Sequence, residues 1–429
     1  MKRLNWMIVI GMIAVMVALA AACKSSKPQP ASTGTAAPAT SAATSPAASF
    51  AGTVTIGASI GLTGSLAKEG KLTLDGYKFW EQWVNSHGGL KVGDKRYKVD
   101  IKYYDDQSDA NQSARLMEKL ITQDNVKLLL GPYGTPATLQ DAVIAERYKI
   151  PMVEGNGAAE AIFNKGYKYT FGVLSPAKKY LQGVLEIAQT EKSPAAKTVA
   201  IISDNDAFSI EVADGAKAFA EANGLQVVSY EKIPQNTTDV SALITQLKGK
   251  NPDILLGSGH FNTSVLLMKT VKDLNLNAKI YGFSVGPSIP DFQKSLGSAA
   301  DDVFGGTQWT ADLKFQDSLF GTAKQYAAEF QKAFGYEPDY HVAESTAACE
   351  ALQLAIEKAG SLDTTKIRDT LAGLDAMTFY GQIKFDSRGL NIYKPMAVEQ
   401  WQKGEKVTVW PESAATTKAV YPTPPWSQR

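Results

Sequence analysis

The chain has 429 residues, 44% apolar and 20% charged, and its 44 Lys and Arg balance 43 Asp and Glu. That balance leaves no basic field to attract nucleic acid. Two cysteines and three scattered histidines, His87, His260 and His341, give neither a disulfide framework nor a metal-ligand spacing, and no cofactor fingerprint is present.

Lys2 and Arg3 precede an uncharged apolar run from Met7 to Ala22, which closes on Ala20-Ala21-Ala22-Cys23. A basic start, a short apolar segment and small residues before a cut site read as an export signal over residues 1–22. The run is about sixteen residues, short of the roughly 20 needed to span a bilayer. The small residues before Cys23 resemble the lipobox of bacterial lipoproteins, with Leu19 one place earlier than the usual leucine. The resemblance implies a lipid on the Cys23 thiol. From Lys24 to Ser49 the chain is almost all Ala, Ser, Thr and Pro, too poor in apolar surface to fold, so residues 23–50 read as a flexible tether. The expected location is extracytoplasmic, in the periplasm or at the cell surface, with the protein held to a membrane.

About 380 residues then remain, enough for two domains. Val54–Gly57 reads as a strand. Leu72, Gly76, Phe79, Trp80 and Trp83 share a helix face that Gly88-Gly89 ends. Tyr97, Val99, Ile101 and Tyr103 alternate with polar residues as in a half-wet strand, and Ala114, Met117, Leu120 and Ile121 mark the next helix. Short buried strands at 126–130 and 150–153 flank a helix from Pro136 to Arg147. This βα rhythm predicts a parallel sheet covered on both faces. The pattern restarts near Ser175, with strands at 198–202, 225–230, 253–257 and 279–283 and helices between them. After Gly305-Gly306 long helices are expected at 320–334, 341–359 and 365–374. Short strands follow at 382–385, 394–401 and 405–410, the last two as a hairpin about Gly404. Cys349 lies in an alanine-rich helical stretch and reads as a small buried side chain.

In open α/β sheets ligands bind beyond the carboxyl ends of the strands. In the first half those loops are Ser59–Leu66, with Ser65, then Gly131–Pro136, with Tyr133, Gly134 and Thr135, and Glu154–Ala159, with Asn156, Gly157 and Ala158. Thr135 suits an N-cap and Pro136 a first helical position, so the free amides there would suit a carboxylate. The same turns also occur without any ligand. In the second half the loops carry Asp204, Asp206 and Phe208, then His260 and Phe261, then Ser284 and Val285. Acidic and aromatic groups there suit an amine and an apolar side chain. Phe208 and Phe261 read equally as core, and either aspartate as a helix cap.

Gly57-Ala58-Ser59-Ile60-Gly61 matches the G-x-S-x-G of serine hydrolases. That elbow needs a helix directly after the serine, and here Leu62-Thr63-Gly64-Ser65 intervenes. No P-loop or dinucleotide fingerprint is present.

Taken together, Ile56–Ser59 with Leu62–Gly64, Asp105–Asp109, Gly131–Tyr133 with Ile150–Met152, Tyr340–Glu344, Ala355–Ser361, and Phe379–Asp386 with Lys394-Pro395 resemble a known family. It is that of ABC-importer solute-binding proteins for branched-chain and other hydrophobic amino acids, with the type I periplasmic binding fold. The resemblance covers about residues 53–411. It implies two Rossmann-like lobes with parallel sheets joined by a three-crossover hinge. The expected division is 51–172 plus 308–377 for one lobe, 173–307 plus 378–420 for the other, and a tail at 421–429. It implies a binding protein rather than an enzyme, serving a permease and an ATPase subunit, with no cofactor. By matching position, Ser65, Tyr133, Gly134, Thr135, Asn156, Gly157, Ala158, Asp206, Phe208, His260, Phe261 and Ser284 would surround the ligand. One departure matters: amino-acid binders of this type place an acid in the last loop to hold the α-ammonium, and Phe283–Gly286 has none. Asp206 or Glu154 could substitute, or the ligand could be an aromatic or aliphatic carboxylate or an amide. A sensory receptor of the same fold is a further alternative.

Overall fold

Alternation of strand and helix builds two sheets in turn, and a computed structural model describes residues 49–191 and 193–429. The expected signal peptide, Cys23 and nearly all of the tether lie outside the described residues. In the first half the order is β1 (Thr53–Ile60), α1 (Ala67–Ser86), β2 (Leu90–Val92), β3 (Lys95–Asp105), α2 (Ala110–Thr122), β4 (Leu129–Leu130), α3 (Thr135–Tyr148), β5 (Met152–Glu154) and β6 (Thr170–Gly172). Next come α4 (Gln182–Thr190), β7 (Thr198–Asp204), α5 (Ala207–Ala222), β8 (Gln226–Ile233), α6 (Ser241–Lys250), β9 (Ile254–Ser258), α7 (Phe261–Asp273), β10 (Ile280–Phe283), α8 (Asp291–Leu296) and β11 (Phe304–Thr307). The chain ends with α9 (Ala323–Phe334), α10 (Tyr340–Ala359), α11 (Thr364–Ala372), β12 (Asp375–Thr378), β13 (Gly381–Lys384), β14 (Ala397–Gln402) and β15 (Glu405–Trp410).

The first sheet has the order β2-β3-β1-β4-β5-β6 and the second β15-β14-β11-β10-β9-β7-β8. Both are parallel except at an edge, where β2 runs antiparallel to β3 and β14 and β15 run antiparallel beyond β11. The expected parallel sheets are present, with antiparallel strands added at an edge, and β14 and β15 form the hairpin expected about Gly404. Central strands are buried on both faces: Ile56, Ala58 and Ile60 in one lobe and Ile201, Ile202 and Leu256 in the other are fully covered. This is why their sequences read as apolar runs rather than alternations.

Helix α10 packs on α1 and on the first sheet. The α1–α10 approach requires a glycine: a Cβ on Gly76 would lie 2.4 Å from the Val342 carbonyl oxygen. The β12–β13 hairpin also stays with the first lobe, because Phe385 packs on Phe171 and Leu390 bridges Gly172. The third crossing thus falls at 391–396 and not at the expected 377/378 boundary. The segment 421–429, expected as a tail, is docked on the second lobe. There the Thr423 amide donates to the Lys279 carbonyl at 2.9 Å and the Trp426 indole to the Leu276 carbonyl at 2.8 Å.

Three segments pass between the lobes, near Ser175, Gln308 and Lys394, and buried hydrogen bonds tie them together. The Ser175 amide donates to Gln308 Oε1 at 3.0 Å, and Gln308 Nε2 donates back to the Ser175 carbonyl at 2.9 Å. Ser175 Oγ donates to the Lys394 carbonyl at 2.8 Å, and Lys394 Nζ donates to the Gln308 carbonyl. Burial lowers the Lys394 ammonium to about 7 against the pull of Glu344.

Candidate functional site

The carboxyl ends of β1, β4 and β5 face those of β7, β9 and β10, and the lobes meet there. The Glu69 carboxylate accepts the Phe261 amide at 3.0 Å, Asn262 Nδ2 donates to the Ser65 carbonyl at 3.1 Å, and Lys68 pairs with Asp291. Tyr133 Oη and His260 Nδ1 are hydrogen-bonded at 3.0 Å across the gap. The cleft is closed.

Inside it lies a narrow, nearly filled space of about 10 Å3, lined by Tyr133, Gly134, Asn156, Tyr180, Phe208, His260, Val285, Tyr340, His341 and Glu344. Both lobes supply wall. Gly134 caps α3 with φ 89°, a conformation open to glycine. Asp339 caps α10 by accepting the Val342 amide, and its other oxygen meets His341 Nδ1 at 2.6 Å. That cap turns Tyr340, His341 and Glu344 toward the cavity. Tyr180 stacks edge-on against both Phe208 and Tyr340.

His260 is the charged feature of the wall. Burial opposes protonation of its imidazole, but Asp206, Glu69 and Asp204 outweigh burial and raise it to about 9. The nearest is Asp206, whose Oδ2 lies 3.5 Å from Nε2. Asp206 responds in kind: despite burial, His260 and the Ser209 hydroxyl and amide lower it to about 2. Glu154 is the opposite case. Burial pushes it up to about 8, although its Oε2 accepts the Asn156 amide at 2.9 Å and the Gly157 amide at 2.5 Å. Glu344 is likewise driven well above the carboxylate range by burial.

Of the loop residues singled out from sequence, Tyr133, Gly134, Asn156, Phe208, His260 and Val285 line this cavity. Ser65 lines a second, wider space of about 440 Å3 at the mouth, with Asp204, Gln235, Asn236 and His260. The others stand behind the wall. Thr135 is not the cap: it is the first helical residue, and its buried Oγ1 accepts the Ala159 amide at 3.3 Å. The Gly157 amide is taken by Glu154, and the Ala158 carbonyl accepts the Ala177 amide at 2.8 Å. Asp206 caps α5 through the Phe208 and Ser209 amides while facing His260. Phe261 meets Glu69 through its amide, and Ser284 Oγ is bonded to Gly259. Tyr180, Tyr340, His341 and Glu344 are wall residues that loop reading missed. Only the last three lay in a segment already singled out, the Tyr340–Glu344 motif.

Ser59 carries no hydrolytic machinery. It is buried and donates to Asp106 Oδ2 at 3.3 Å, while each histidine bonds elsewhere. No group of three or more metal-ligating side chains occurs among the described residues, and no described helix is long and apolar enough to cross a membrane.

Three relatives can be set beside this geometry. The chain is 24% identical over 377 residues to Leu/Ile/Val-binding protein homolog 7 of Brucella suis, covering 84% of this chain and 92% of that one. It superposes with TM-score 0.72 and 21% identity on the branched-chain amino acid transporter substrate-binding protein LivJ of Streptococcus pneumoniae, solved with isoleucine, over 84% of this chain and 100% of that one. An ABC-transporter solute-binding protein of R. palustris, solved with benzoate, gives TM-score 0.72 at 17% identity, over 86% and 99%. The family model for periplasmic binding proteins matches residues 53–406. The two lobes, their strand order and that match agree: this chain belongs to the periplasmic binding protein family, whose members are binding proteins and not enzymes.

Proposed function

We propose that this chain is the extracytoplasmic solute receptor of an ABC importer, lipidated at Cys23 and tethered through residues 24–49. It captures a small hydrophobic amino acid and presents it to a permease served by an ATPase subunit. One observation carries the reading: the closed cavity takes its wall from both lobes, with Tyr133 and Asn156 on one side and Phe208 and His260 on the other. A solute held there bonds to both lobes at once and favours the closed state by its differential affinity. Closure excludes water and strengthens each polar contact to the solute. The Brucella relative and the isoleucine complex support the amino-acid class.

A second reading, an aromatic carboxylate, is favoured by the lining itself. Three phenols, Tyr133, Tyr180 and Tyr340, stand with Phe208 around a protonated His260, and the benzoate complex supports it. Isothermal titration of the protein with L-leucine, L-phenylalanine and benzoate tests both readings. Binding of an amino acid with a Kd below about 10 μM is expected. Binding of benzoate alone selects the second reading, and heat from none of the three rejects both.

A further inference from the structure

An amino acid in this cleft needs a partner for its ammonium, and the carboxylates nearby are not equivalent. Asp206 already accepts from Phe208, Ser209 and Gln235 and faces His260. Both oxygens of Asp204 are bonded to Thr263, and one also takes the His260 amide. Glu154 Oε1 is also buried without a partner, but it turns away from the opposite lobe, toward Gly172, where a Cβ would lie 2.3 Å from it. Burial raises Glu344 well above the usual carboxylate range, which disfavours its charged form, and its Oε2 accepts from Tyr380 at 3.4 Å.

Glu69 differs from all of these. It sits in the first turn of α1, is 1% exposed, and bonds across the cleft to the Phe261 amide through Oε1. Its Oε2 is buried and has no hydrogen-bond partner. A carboxylate oxygen left in that state is costly unless a donor arrives. Glu69 is not itself a wall residue but stands directly behind the wall: it bonds to Phe261, which follows His260 in the chain, and its charge reaches both Tyr133 and His260, the pair that spans the gap. The Phe261 amide is also the first of α7, where the helix dipole favours negative charge.

We propose that Glu69 holds the ammonium end of the ligand in the closed cleft, supplying from the first lobe the acid that the Phe283–Gly286 loop of the second lobe lacks. The proposal rests on the amino-acid reading above. It joins recognition to closure, because one carboxylate takes the ligand through Oε2 and the opposite lobe through Oε1.

The test compares L-leucine with 4-methylpentanoate, which has the same side chain and carboxylate but no amine. Both are titrated calorimetrically into the wild-type protein and the E69Q variant, with thermal melts to establish that the variant is folded. The wild type should bind L-leucine at least about tenfold tighter than 4-methylpentanoate. E69Q should erase that preference while changing 4-methylpentanoate affinity less than about threefold. Equal loss for both compounds makes Glu69 a closure contact only and overturns the assignment. An unchanged preference in E69Q overturns it as well. Equal wild-type affinities overturn it without the variant. A wild type that binds neither compound instead defeats the amino-acid reading on which the assignment rests.

Discussion

At His260 and Asp206 two buried side chains are charged because each stabilises the other. The imidazolium, raised to about 9, stabilises the fold fully below its ordinary value near 6.5 and ceases to do so as pH rises through 9. The carboxylate, lowered to about 2, contributes above its ordinary value near 3.8 and ceases as pH falls through 2. The pair therefore contributes in full between about pH 4 and 6.5. In a proton NMR titration the His260 ring should titrate near 9, and Asp206→Asn should bring it down clearly, because burial then acts against fewer carboxylates. Glu154 runs the other way. The folded chain keeps a proton up to about 8 that the unfolded chain releases near 4.5. Stability should fall across that interval by roughly 2–4 kcal/mol on this group's account. Glu154→Gln should flatten the decline, as read by urea unfolding at pH 5 and pH 8.

At the scale of elements, the close crossing of α1 and α10 carries both Glu69 and the Tyr340–Glu344 turn to the cleft. Gly76 sets that distance, so Gly76→Ala should push the helices apart and cost about 2 kcal/mol in urea unfolding with little change in slope. The periodicity of α1, the apolar β1, β7 and β9, and the Gly404 hairpin were legible in sequence, because each repeats one local pattern over several residues. Strands β4 and β5 were legible as apolar runs but with different limits, whereas β6 and β11, of three and four residues, are too short for a period to emerge, and neighbouring chain decides their limits. In the site, Tyr133, Asn156 and His260 were legible because they follow strands directly. Glu69 and Tyr180 were not: nothing near either residue in sequence signals that α1 and the first crossing bring them to the opposite lobe. Thr135 was misread as a cap because Gly134, with its positive φ, ends the loop one residue earlier.

For the molecule as a whole, the three crossings matter more than either sheet. Gln308 joins the first crossing to the second through two hydrogen bonds, and Gln308→Leu would leave the Ser175 amide and carbonyl buried without partners. That should cost roughly 2–4 kcal/mol, read as a lower denaturation midpoint. It should also loosen the relation between the lobes, seen as a larger radius of gyration in X-ray scattering of the ligand-free protein.

Three strands of chain laced side by side behave like a piano hinge and not a ball joint. A single linker would let one lobe swivel in any direction. Three, fastened to each other at Ser175, Gln308 and Lys394, leave one easy angle. Occupancy of the cleft is thereby converted into a single distance. A pair of fluorophores, one on each lobe at surface positions far from the hinge, should report that distance with one transfer efficiency for empty protein and another for loaded protein. Intermediate ligand concentrations should give mixtures of those two values and no third.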